Sequence, residues 1–182
     1  ALPGCPDDHS TGTHQERIGT FQTWCAHYEK FAAFQRTGTL GYSIFTKGNT
    51  KLHFFSFSSI PGNGLCPGAG ECLQWCYSFK AWRFPAAYFR QLQNTLLIRA
   101  QSQHIIDAWQ ALPEGKTVRL YVDGDFDSLD TMTSWFRLVS ARPDLTVYGY
   151  SKSWRLFLDY AKTGHDFPEN YTLNLSSGSI YE

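Results

Sequence analysis

The sequence predicts an α/β protein in which an N-terminal helix precedes a core built on a parallel sheet. Three observations support this. Beyond residue 115, short runs rich in β-branched and aromatic residues alternate with segments of helical period, the pattern of strands joined by crossover helices. Near the N-terminus, a capping-box spacing opens a segment whose apolar residues recur at three and four. Each predicted strand from Leu52 onward also runs into a loop rich in Cys, Asp, Lys or Ser.

Residues 1–12 hold Pro, Gly, Asp and Ser without periodicity and read as an extended arm. Thr13-His14-Gln15-Glu16 has capping-box spacing, and Ile18, Phe21, Cys25, Tyr28 and Ala32 follow at helical intervals, so a helix is expected over 13–38 with Gly38 as its stop. On that face Cys25 reads as a packed thiol, and Cys5, in the arm, is undecided. Leu40 to Phe45 and Leu52 to Phe57 read as sequential strands or a hairpin about the turn Lys47-Gly48-Asn49-Thr50. Pro85 suits the first turn of a helix that continues through Tyr88, Phe89, Leu92, Leu96 and Leu97 toward Trp109 and ends at Pro113 and Gly115.

The rest is regular: a strand over Thr117 to Asp123, a helix over Leu129 to Ser140, a strand over Leu145 to Tyr150, a helix over Trp154 to Ala161 and a last strand over Tyr171 to Leu175. The first of these two helices puts Met132, Trp135, Phe136 and Val139 on one face. Right-handed crossovers then give four strands of βα type in one sheet. No segment reads as a linker or repeat, so residues 1–182 form one domain with a β/α core over 40–182.

Bulk properties narrow the function. At 182 residues and 42% apolar content the chain can bury a sizeable core. Sixteen basic and sixteen acidic side chains balance, which gives nucleic acid no electrostatic support as a partner, although it stays open. No run approaches the roughly 18 apolar residues of a membrane span, and Ala1-Leu2-Pro3-Gly4-Cys5 lacks the segments of a secretory signal. Five cysteines, an odd number with three of them clustered, fit a reducing compartment, so a cytoplasmic location is expected.

The cluster is Cys66-Pro-Gly-Ala-Gly-Glu-Cys72-Leu-Gln-Trp-Cys76-Tyr77. Pro67, Gly68 and Gly70 let the loop curl so that three sulfurs converge. Three thiolates leave one metal or cluster iron without a protein ligand, an open position suited to chemistry. A disulfide with a spare thiol, or three packed small residues, are the plainer alternatives. In a parallel α/β sheet the loops after the strands share one edge. Here they carry the cysteines, then Asp123-Gly124-Asp125, then Ser151-Lys152-Ser153, then Ser176-Ser177-Gly178, so all four should face one region.

Asp123 and Asp125 could bind Mg²⁺, an amine or a ribose, or cap the next helix, for which Asp127 with Asp130 is the better candidate. Lys152 could hold a carboxylate or phosphate, or counter a cluster's charge, or be an ordinary surface lysine. Ser176 and Asn174 could bond a cofactor's polar groups. Arg90 and Asn94 lie one turn apart on the helix after the cysteines and could both face the site, Arg83 less so. Of the scattered histidines, His53 is the one plausible fourth ligand.

From about Thr46 onward the chain resembles the phage and plasmid family named after gene product 88. The likeness lies in Cys66-Pro-Gly-Ala-x-x-Cys72 with Cys76-Tyr77, in Asn94, in Val118-Arg119-Leu120-x-x-x-Gly124-Asp125-Phe126, and in Tyr148-x-Tyr150-Ser151-Lys152-Ser153. More distantly, the order of strands and loops resembles the first half of a radical S-adenosylmethionine enzyme. That resemblance implies a partial β/α barrel of about four to six strands and a [4Fe-4S] cluster on Cys66, Cys72 and Cys76. Its open iron would bind S-adenosylmethionine, with Tyr77 beside the last cysteine and Gly124-Asp125 near the methionine amine. The cysteines here are separated by five and three residues, where that family usually has three and two, and the chain carries about four barrel strands instead of six or eight.

The expected protein is therefore an iron-sulfur protein of the radical S-adenosylmethionine type with an unknown substrate. Asp125 and Lys152 are its candidate catalytic groups, and together with Tyr77, Asn94, Asp123, Gly124, Ser151 and Ser176 they line its cofactor site. The rival is a non-enzymatic module in which zinc on the same cysteines stabilises a loop that, with Arg83, Arg90 and exposed aromatics, grips a protein or nucleic acid. A Mg²⁺ enzyme using Asp123 and Asp125 is a third reading.

Overall fold

In the computed structural model, which describes residues 14–48, 53–62 and 64–182, helix α1 spans His14–Thr37. It ends at Gly38, whose φ of 73° and N–H bond to the Phe34 carbonyl at 2.8 Å close the last turn. The face expected inward is wrong by about one residue's rotation. Phe21 and Tyr28 are exposed, and Trp24, Phe31 and Phe34 are buried. Trp24 and Phe31 pack on Phe89, so the larger aromatic cluster sets the helix's rotation. The predicted arm with Cys5, the capping residue Thr13, and the turn residues Asn49 and Thr50 lie outside the described residues.

Strands β1 (Thr46–Lys47) and β2 (Phe55–Ser56) pair antiparallel, later in the chain than the predicted strand at 40–45. The reason is Gln93, which is fully buried. Its Oε1 accepts from the Gly41 and Tyr42 amides and its Nε2 donates to the Tyr42 carbonyl, so these groups cannot join a ladder. Short helices α2 (Cys72–Trp75) and α3 (Ser78–Ala81) follow inside the cysteine loop, where no helix was expected. The expected long helix is two: α4 (Pro85–Arg99), with Pro85 in its first turn, and α5 (Gln103–Gln110). Gln101 breaks it with a φ of 48°, and Ser102 restarts it by accepting from the His104 amide.

The remaining elements lie close to where the pattern put them: β3 (Thr117–Leu120), α6 (Leu129–Ser140), β4 (Thr146–Ser151), α7 (Trp154–Lys162) and β5 (Tyr171–Leu175). The cap of α6 is Ser128, whose hydroxyl accepts from the Thr131 amide, while Asp127 pairs with Arg99 at 3.1 Å.

The sheet order is β1-β2-β3-β4-β5, and every pair after the first is parallel. An order without reversal, joined by right-handed crossovers, sends the connecting helices to one face, as along the wall of a partial barrel. Val118, Leu120 and Val147 on that face join Met132, Trp135, Phe136 and Val139 of α6 in one core. The alternate residues Arg119, Tyr148 and Tyr150 stay half-buried or exposed on the other face, where the Arg119 guanidinium sits 5.0 Å from the centre of the Tyr150 ring.

Candidate functional site

The four loops that follow β2, β3, β4 and β5 do meet. The cysteine loop is zipped to the C-terminal segment: Gly70 N–H donates to the Gly178 carbonyl at 2.9 Å and Ile180 N–H to the Gly68 carbonyl at 3.0 Å. Ser179 Oγ bonds both the Gly68 and Lys152 carbonyls, joining three loops through one hydroxyl. Gly68 lies so close to the backbone of Lys152 that a Cβ there would overlap its carbonyl, which is why the loop needs glycine at this point.

These loops enclose a cavity of about 300 Å³ at the carboxyl edge of the sheet. Cys66, Cys72 and Cys76 all border it, as do Tyr77, Gly124, Asp125, Lys152 and Ser176 among the residues singled out by sequence. All four described cysteines, these three and Cys25, are free thiols, so the disulfide alternative has no place among them. Burial pushes the Cys66 thiol up to about 12, and the neighbouring Asp125, Cys76 and Cys72 push the same way. Burial also raises Cys72, with the Lys152 ammonium opposing. The three side chains therefore share one electrostatic environment, but no group of three Cys, His, Asp or Glu side chains among the described residues is arranged to hold a metal ion.

Asp125 is only 5% exposed and its carboxylate is fully engaged. Oδ1 accepts from the Phe126 amide at 2.8 Å and from Ser151 Oγ at 2.7 Å, and Oδ2 accepts from the Lys152 amide at 2.8 Å. Burial raises its pKa and these bonds pull it back. It ties the loop after β3 to the loop after β4, with Ser151, also buried, as its partner. Lys152 reaches the cavity with Nζ donating to Ser176 Oγ at 2.7 Å. Tyr77 bonds the Val122 carbonyl through its hydroxyl, and burial raises its pKa.

Asn94 is brought elsewhere: completely buried, it donates to the Ile44 and Ser58 carbonyls and does not border the cavity. Asp123 lines a neighbouring cavity, with Oδ2 accepting from Gln91 Nε2. His53 is exposed and precedes β2, on the sheet edge opposite the cysteines, so it is not a fourth ligand.

The cavity also holds Arg119, Tyr121 and Tyr150, which sequence reasoning passed over. Alternation along β3 and β4 was the available signal for Arg119 and Tyr150, since both fall on the face turned from the helices. Tyr121 had none. It leaves β3 with a φ of 55° and accepts from Trp135 Nε1, a left-handed residue held in place by the core beneath it.

Three thiols of one loop border one cavity beside the Lys152 ammonium, which is the donor chemistry of a thiophilic metal centre without its convergence on one point. A family model described as gene product 88 matches residues 33–182. The chain belongs to the gene product 88 family. The match takes in the whole sheet, the cysteine loop and the C-terminal segment that fastens it, so every residue that lines this cavity lies within the matched range. No curated protein and no solved structure matches it.

Proposed function

We propose that this gene product 88 protein is a cytoplasmic iron-sulfur protein whose cluster is held by Cys66, Cys72 and Cys76, a pared-down counterpart of the radical S-adenosylmethionine enzymes. The observation that carries the reading is that three free thiols from a single loop border the same cavity. When bound, a [4Fe-4S] cluster would supply single-electron chemistry at an iron without a protein ligand, the position that S-adenosylmethionine takes in the enzymes it resembles. The chain's own groups do the rest. Lys152 offsets thiolate charge and presents an ammonium to the cavity, and Arg119 on its Tyr150 platform adds a second cation. Asp125 and Ser151 position the loops that carry these groups; Tyr77 closes the wall beside Cys76. An odd number of cysteines, three of them clustered, supports a reducing compartment, and no helix among the described residues is long and apolar enough to cross a membrane.

Anaerobic purification with iron, sulfide and zinc analysis, followed by optical and paramagnetic spectra, tests this. The expected result is about four irons and four sulfides per chain and a reducible cluster signal that Cys72→Ser abolishes. A colourless protein without iron after reconstitution sinks it, and one zinc per chain without sulfide would establish the non-enzymatic zinc module instead.

A further inference from the structure

A second cavity, of about 200 Å³, adjoins the first across Val122 and is bordered by none of the cysteines. Its walls come from β1, β2, α3, α4 and the loop after β3, and it contains two opposite charges, Arg90 and Asp123. They do not pair with each other, nor does either enter another ion pair among the described residues. The Arg90 Nε atom is buried and has no hydrogen-bond acceptor. Buried guanidinium nitrogens without a partner are uncommon enough that each calls for a missing acceptor. Burial also works against the charged form of Arg90.

Asp123, by contrast, is held in place. Trp82 Nε1 donates to Gln91 Oε1 at 2.8 Å, and Gln91 Nε2 donates to Asp123 Oδ2 at 3.1 Å, a relay that fixes the carboxylate through one oxygen and leaves the other to a ligand. Simple charged ligands fit badly. A bare anion on Arg90 would share the cavity with a carboxylate, and a bare cation on Asp123 would share it with a guanidinium. A molecule carrying both charges meets both groups. The volume is below the usual range for drug-sized ligands, so that molecule is small.

We propose that this second cavity binds an α-amino acid, its carboxylate on the Arg90 guanidinium and its ammonium on Asp123. The site stands on α4 and the loop after β3 and does not depend on whether the cysteines hold iron.

The test is calorimetric titration and ligand-observed NMR of the full chain with each of the twenty L-amino acids. At least one should bind, and its decarboxylated amine and deaminated acid should each bind about tenfold or more weakly, the loss of one charge-assisted contact. Arg90→Gln and Asp123→Asn, both checked for native melting and circular dichroism, should weaken binding by about the same factor, with Arg90→Lys intermediate. Cys72→Ser should leave it unchanged, so a failed iron assay with intact binding removes only the cluster reading. No binding by any of the twenty, equal binding of the deaminated acid, or unchanged binding by the two variants would overturn the proposal.

Discussion

Replacing Asp125 with alanine removes a group that accepts from both the loop after β3 and the loop after β4. Three donors lose their acceptor: the Phe126 and Lys152 amides and the Ser151 hydroxyl. The hydroxyl keeps its contact with the Ser153 amide and can turn, but the two backbone N–H groups are stranded. At about 1–3 kcal/mol for each unsatisfied buried donor, less what is regained by no longer burying a carboxylate, the expected loss is about 3 kcal/mol. That is a large share of a total stability of about 5–15 kcal/mol.

Asp125→Asn keeps the shape and one acceptor oxygen but turns an NH₂ toward a donor, so it should fall between, at about 1–2 kcal/mol. The pH dependence follows from the raised pKa of Asp125, caused first by burial. A carboxyl raised above its ordinary value of 3.8 contributes stability that is complete below that value and is lost as pH rises through the folded-state value. The advantage of wild type over Asp125→Asn should therefore shrink as pH rises through that window. Urea unfolding of the three proteins at several pH values measures all of this. An alanine variant within about 0.5 kcal/mol of wild type, or an advantage that grows with pH, would refute the reasoning.

Three further outcomes are expected. Gly68→Ala should displace the cysteine loop from the Lys152 backbone, costing about 1–3 kcal/mol by overpacking and lowering iron uptake, read by thermal melts and metal analysis. Trp135→Ala, at a completely buried position against Phe57 and Trp109, should cost about 3–5 kcal/mol in denaturant unfolding. Because Cys66 is raised from 9.0 to about 12, the metal-free protein should lose stability as pH rises from 9.0 toward about 12, and Cys66→Ser should lose less, as followed by melting temperature.

Much of the fold was legible because local period and burial agree. Over α6 the apolar spacing marked Met132, Trp135, Phe136 and Val139, and all four are buried. The rotation of α1 was not legible, since choosing between Phe21 and Trp24 as inward depends on what α4 offers in return. Nor was the break at Gln101, where a residue with no turn preference takes a left-handed conformation. In the site, the four polar loops were readable from strand order, but the division of labour among them was not. Asp123 and Asp125 are two residues apart, yet one lines the second cavity and the other is spent on backbone amides.

By itself, then, the sequence determined the α/β class, the parallel run of strands, and the meeting of the cysteine, aspartate, lysine and serine loops at one edge. These follow from side-chain period and the handedness of crossovers, which are local rules. Only the tertiary structure decided which polar groups are free to act. Hydrogen-bond capacity is consumed by whatever lies nearby in space: Gln93 and Asp125 are taken up by backbone groups distant in sequence, while Asn94 keeps a buried Oδ1, and Arg90 and Arg119 each a buried Nε, without a partner.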